Sequence, residues 1–206
     1  MKTQIITLFA ALVLSAGIAK TTYAAAPAKN ATYTVLNDIS AINKIEVHGN
    51  VQLYISDGAS DQVKVYNKYY AESALVQSKN GVLSIASYKA EKLVVWVTAA
   101  DLRSVSAFDN AEVKSFGDLS KIEFNVDLHN NASAKLSLEA YSANVIVADH
   151  AKASLSGSAN EYSLKYSNAG NIDQANFVTE NASKTLTTAT SVKKPVTSEI
   201  DDLANL

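Results

Sequence analysis

The chain has 206 residues, 48% of them hydrophobic, with 18 Lys+Arg against 20 Asp+Glu and no cysteine. That length predicts one domain with a continuous core, and a net charge of −2 gives no electrostatic case for nucleic acid or an anionic membrane as partner. Without cysteine there are no disulfides, thiolate metal sites or thiol nucleophiles, so an exported form must be held by its core and hydrogen bonds alone.

Residues 1–24 read as a signal peptide. Lys2 supplies the positive start, residues 5–19 are an apolar run of suitable length, and Thr22 and Ala24 suit cleavage after Ala24. The run is shorter than the roughly 20 residues a membrane span needs, and no later stretch is apolar enough to cross. The mature protein is expected to be exported, with no stable membrane insertion after cleavage. Residues 25–41 are a lead-in, residues 42–185 the folded domain, and residues 186–206, rich in Thr, Ser and Asp around Pro195, a flexible tail.

The domain opens on an alternation. Ile45, Val47, Gly49, Val51, Leu53 and Ile55 interleave with Glu46, His48, Asn50, Gln52 and Tyr54, which predicts a strand with one wet face and a bend at Gly49. Asp57-Gly58 signals a turn. Val63 and Val65 then begin a strand that runs into the tyrosine-rich Tyr66, Tyr69 and Tyr70. Asn80-Gly81 reads as a tight hairpin turn, since both residues tolerate positive φ. Residues 82–85, and then Leu93, Val95 and Val97, supply further strands. This half has hairpin punctuation and inexact repeats, as a capping region of a repeat protein should.

From Val105 onward one pattern is written four times. An apolar residue stands four places before an Asp or Asn: Val105 before Asp109, Val126 before Asn130, Val145 before Asp149 and Leu164 before Asn168, in register steps of 21, 19 and 19 residues. Ala107, Leu128, Val147 and Tyr166 precede the polar position, and Ala111, Ala132, Ala151 and Gly170 follow it. Val113, Ala134, Ala153 and Ile172 come next. Ile122, Phe124, Val126 and Leu128 share even parity with Ala132 and Ala134, and the third copy keeps odd parity from Ala143 through Leu155. A bend at the Asp/Asn position therefore leaves the two faces unflipped. A period of two within a repeat too short for a helix pair predicts an all-β, single-domain β-solenoid (β-helix-like) of roughly 20-residue rungs with an N-terminal hairpin-rich half. Its open edges need covering, by the hairpins at one end and the tail at the other.

This layout resembles a known family. Residues 45–51 (Ile-Glu-Val-His-Gly-Asn-Val), Asn80-Gly81-Val82-Leu83, residues 93–98 (Leu-Val-Val-Trp-Val-Thr) and Leu102-Arg103-Ser104-Val105, feeding repeats with a loop-and-small-residue centre, are similar to the head GIN domain family of putative auto-transporter adhesins, exported proteins of Bacteroidota. The resemblance covers roughly residues 42–181. It implies a β-helix-like fold, an exported location and an adhesive role. The family's Ser-Gly-Gly-Ser-Asp centres are replaced here by Asp109-Asn110-Ala111, Asn130-Asn131-Ala132, Asp149-His150-Ala151 and Ser167-Asn168-Ala169. Asn reaches the left-handed conformations that Gly adopts freely, so the turn geometry can persist on a changed surface.

Three groups of residues carry candidate chemistry. Asp109, Asn130, Asp149 and Asn168 should stack one rung apart, at about 4.8 Å. They read either as a turn ladder satisfying backbone groups or as a cation or sugar site. The alternation of Asn with Asp separates the charges and favours the ladder. Asp149-His150, His48 and His129 are the acid–base candidates, with His129 and His150 out of phase; the sole arginine, Arg103, has Asp101 beside it and no matching acid cluster. Tyr54, Tyr66, Tyr69, Trp96 and Phe108 fall on predicted outer faces, where rings flanked by Asn and Lys suit stacking on sugars or packing under hairpins.

Taken together, these features predict an exported, non-enzymatic adhesin-like or surface-binding protein contacting glycans or envelope proteins by polyvalent weak contact, with self-association as a further possibility, no cofactor and no metal. The alternatives are a carbohydrate-active enzyme (polysaccharide lyase or hydrolase) on the same fold, or an envelope spacer without ligand.

Overall fold

A computed structural model describes residues 33–36, 39, 41–66 and 75–187. The signal peptide, Tyr69, Tyr70 and residues 188–206 of the tail lie outside the described residues, as does most of the lead-in.

The alternating segments become strands: β1 Thr34–Leu36, β2 Lys44–Gly49, β3 Val51–Asp57, β4 Gln62–Val65, β5 Leu75–Lys79, β6 Val82–Ser87, β7 Leu93–Ala99, β8 Ser104–Ala107, β9 Glu112–Ser115, β10 Leu119–Leu128, β11 Ser133–Val147, β12 Lys152–Tyr166 and β13 Ile172–Leu186. The protein is all-β, and these thirteen strands join one curled, open sheet. Among the described residues the only helical element is a 3₁₀ turn, Ala169–Asn171. None of their helices is long and apolar enough to cross a membrane.

Most ladders are parallel. One inward column runs through Ile85, Val47, Ala107, Leu128, Val147 and Tyr166, each in register with the next. A second runs through Val95, Leu53, Val113, Ala134, Ala153 and Ile172. Each rung thus contributes one residue before its bend and one after it. Val47, Ala107, Leu128 and Val147 are at most 2% exposed, and Leu53, Val113, Ala134 and Ala153 at most 4%. Burial of these columns from both sides of the bend supplies the main folding drive.

The rungs do not stack in chain order. The β2–β3 rung lies between the β6–β7 rung and the β8–β9 rung. Antiparallel strands fill out the early half: β5 pairs with β6, and β4 pairs with β7 and with β1. β1 falls within the stretch read as lead-in. At the other end β13 pairs with β12, and no strand among the described residues lies on its far side. β13 also runs to Leu186, well past Phe177 where the apolar pattern fades.

One parity expectation fails. Ile122 is 84% exposed, whereas Leu119 and Phe124, five residues apart, are both fully buried. The same slip recurs a rung later, where Ala140 and Ala143 face inward and Tyr141 is 61% exposed. The physical reason is a corner: the ladder pairs Lys121 with Ala140 and Glu123 with Ser142, and the residue between projects outward. At this corner the Lys121 side chain, 7% exposed, pairs with Asp57 at 2.5 Å, and Asp57 also accepts from Ser120 N–H.

Candidate ligand-binding face

On β7 the inward Leu93, Val95 and Val97 leave Val94, Trp96 and Thr98 facing out, and β3 and β9 present Gln52, Tyr54, Glu112 and Lys114 in the same way. Register then aligns one outer row across seven strands: Lys64, Trp96, Tyr54, Lys114, Lys135, Ser154 and Asp173. At the strand spacing of a sheet this row is about 29 Å long.

The first part of the row is aromatic. Tyr54 and Trp96 stack with centroids 4.6 Å apart and planes 23° apart. Phe116 packs on Trp96 at 5.2 Å, Tyr66 lies 6.5 Å from Trp96, and Tyr33 lies 5.2 Å from Tyr66. Lys114 Nζ sits 5.9 Å from the Tyr54 centroid and Lys64 Nζ 5.8 Å from that of Tyr33, within cation–π range. Phe116 is 64% exposed and Tyr33 49%, so the cluster is a wet-edged platform rather than a sealed core. Beside it on the same outer face, Glu112 accepts from Lys92 at 2.5 Å and from Lys114 at 3.3 Å. The hydrogen bond from Lys92 is the main cause holding the Glu112 carboxyl below the usual carboxylate range, with Lys114 adding to it against the opposing effect of burial.

Sequence reasoning placed Tyr54, Tyr66 and Trp96 on outer faces, and the structure brings these three together. It missed Phe116 and Tyr33. Phe116 continues the outward parity of Glu112 and Lys114, a signal that was available; Tyr33 precedes β1, where alternation is too brief to read. Phe108 stacks instead between His48 (4.5 Å, 4°) and His129 (5.2 Å, 8°), and His129 Nε2 meets Asp127 Oδ1 at 2.8 Å. Arg103 closes a two-point ion pair with Asp101.

At the bends, Asp109, Asn130 and Asp149 have φ of 60°, 58° and 54°. Their side chains link successive rungs: Asn130 Oδ1 accepts from Asp109 N–H (3.1 Å), Asp149 Oδ2 from Asn130 N–H (2.9 Å), and Asp109 Oδ2 from Gly49 N–H (3.0 Å). Ala111, Ala132 and Ala151, all fully buried, donate backbone N–H back across each bend. Asn168 departs from the series. Its φ is −143°, and its side chain accepts from Gly170 N–H, capping the 3₁₀ turn. Among the described residues no cluster of His, Asp and Glu is arranged to hold a metal ion.

Comparison with known proteins supplies a family and a fold. The sequence model of the family described as "Putative auto-transporter adhesin, head GIN domain" matches residues 41–201. No curated protein is matched. Among solved structures, a putative adhesin from Parabacteroides merdae is similar with TM-score 0.59 at 14% identity, over 76% of this chain and 78% of that one. A putative adhesin from Parabacteroides distasonis gives 0.53 at 18% identity, over 74% and 76%. A protein from the same organism described as a putative lipid binding protein gives 0.55 at 9% identity, over 74% and 76%.

Proposed function

The chain belongs to the family of putative auto-transporter adhesins with a head GIN domain, and on that premise we propose that it is an exported, non-enzymatic surface-binding protein that holds glycans of the cell envelope against its outer face. On this reading residues 1–24 direct export, and residues 42–185 form a β-solenoid whose rungs repeat every 19 to 21 residues from β8 onward. Tyr54, Tyr66 and Trp96, with Phe116 beside them, are the contact residues. Asp109, Asn130 and Asp149 are structural, because one side-chain oxygen of each accepts a backbone N–H from the neighbouring strand–bend unit.

The observation that carries the reading is the Tyr54–Trp96 stack on an outer face, with Lys114 at cation–π distance from Tyr54 and the exposed Phe116 at its edge. Large rings left at a surface, rather than withdrawn into the core, offer flat apolar area to a sugar face while their polar edges stay wet. Weak single contacts of this kind gain strength when many copies engage one polymer or one surface.

The test is a glycan array probed with the purified protein and with Trp96→Ala, followed by mass spectrometry of each bound glycan. Retention on the array, about tenfold weaker for the variant and without cleavage products, supports the proposal. Product release would move the protein to the enzymes, and failure to retain any glycan would remove the binding role.

A further inference from the structure

The aromatic platform occupies less than half of the outer row, and what continues it is cationic. Beyond Tyr54 the next two strands place Lys114 and Lys135 in register, and Lys152 stands one strand further on, in register with Ser133. Lys114 shares the Glu112 carboxylate with Lys92. Lys135 and Lys152 are both exposed, and neither forms an ion pair with any of the described residues. The three lysines line a groove of about 470 Å³ together with Ser133, Ser154 and Asp173. The chain as a whole is slightly acidic, with net charge −2, so the positive charge that Lys135 and Lys152 add beside the already paired Lys114 is local.

From this continuity we propose that the face selects an acidic polysaccharide: neutral ring faces stack on Tyr54 and Trp96 while carboxylate or sulfate groups further along the same strand of polymer meet Lys114, Lys135 and Lys152. The polymer runs across the strands, parallel to the row, because only that direction carries it from rings to ammonium groups. Ser133 supplies a hydroxyl for the sugar oxygens between charges, while that of Ser154 donates to Asp173 at 3.4 Å. Asp173 closes the row with a negative charge and sets the end of the favourable track. Lysine ammonium groups act here as compact point charges without a fixed fork, so they accept either anionic group. The inference rests on the glycan-binding reading above and adds the charge of the ligand to it.

The experiment measures affinity by biolayer interferometry for three immobilised polymers: dextran, dextran sulfate and polygalacturonate. Expected is preference for one or both acidic polymers over dextran, weakening as salt rises beyond 0.15 M, where the screening length is about 8 Å. The double variant Lys135→Gln/Lys152→Gln, both changes on exposed side chains, should lose about three- to tenfold toward the acidic polymer and much of its salt dependence, with dextran affinity unchanged. The two acidic arms separate sulfate from carboxylate. Equal affinity for dextran and the acidic polymers, or an unaltered double variant, overturns the selection for charge while leaving glycan binding intact. Absence of binding to all three, coupled with a blank glycan array, overturns both.

Discussion

Placing an aspartate at Val147 should abolish cooperative folding, whereas the same change at Ile146 should be tolerated. Val147 is 2% exposed and sits in the inward column between Leu128 and Tyr166; Ile146, its chain neighbour, is 38% exposed on the outer face. Replacing the valine forfeits about 2 kcal/mol of burial. The carboxylate must then either stay charged without a partner or take up a proton and remain a buried polar group, which adds roughly 3 kcal/mol or more. The sum reaches about 5 kcal/mol, the lower end of what holds a domain together. Aspartate is a poor strand former at both positions, so that penalty cancels in the comparison and the difference isolates burial. Urea unfolding followed by circular dichroism is the assay. The Ile146→Asp midpoint should fall by an amount worth about 1 kcal/mol or less, Val147→Ala should cost about 2 kcal/mol, and Val147→Asp should show no folded baseline. Equal losses at 146 and 147 would refute the two-residue alternation on which the register is built.

Asn130→Ala removes the acceptor for Asp109 N–H and puts a Cβ residue with no compensating side chain at φ 58°; about 1–2 kcal/mol should be lost in urea, and Asn130→Gly, which restores the conformation but not the bond, should lose less. Gly157 has φ 99°, and a Cβ there would stand 2.1 Å from Leu138 O, so Gly157→Ala should cost more than Asn130→Ala by thermal melting, because neither backbone can yield without breaking the β11–β12 ladder. Glu112 is held below the usual carboxylate range chiefly by its hydrogen bond from Lys92. A depressed folded pKa contributes stability above the unfolded value of about 4.3, lost as pH falls through the folded value. The melting-point gap between wild type and Glu112→Gln should therefore be present at neutral pH and close as the solution is acidified below the unfolded value.

Much of the later half could be read from sequence because its determinants are local. Val126, Leu128, Ala132 and Ala134 are all buried, so parity does pass through the Asn130 bend without a flip. The positive φ of Asp109, Asn130 and Asp149 follows from residue types that tolerate it, and the alanines behind them mark where neighbouring backbones close in. Asn168 has the same residue type in the same phase yet takes an extended φ; the Ala169–Asn171 turn that decides this is not encoded in the repeat. The corner at Ile122 was hidden for a similar reason: an apolar residue at an even position looks inward until the partner strand shows that the ladder skips it. Rung order was beyond reach, since Val47 pairs with residues 38 ahead (Ile85) and 60 ahead (Ala107), and no fixed period announces such a jump. Parity also placed Phe108 and Trp96 on the outer surface alike, but it does not say on which side of a bend a ring lies. That is why Phe108 joins the histidines rather than the platform.

A glycan seated on the outer row beginning at Trp96 would cover the one tryptophan the chain carries. Titrating the unmodified protein with the polymer it retains best, while following Trp96 fluorescence and its quenching by acrylamide, reads occupancy of the platform directly. A saturable change in emission with protection from quencher, at the same midpoint as binding measured by interferometry, is the predicted result. Full binding with an unaltered spectrum and unaltered quenching would place the ligand elsewhere and remove Trp96 from the binding face.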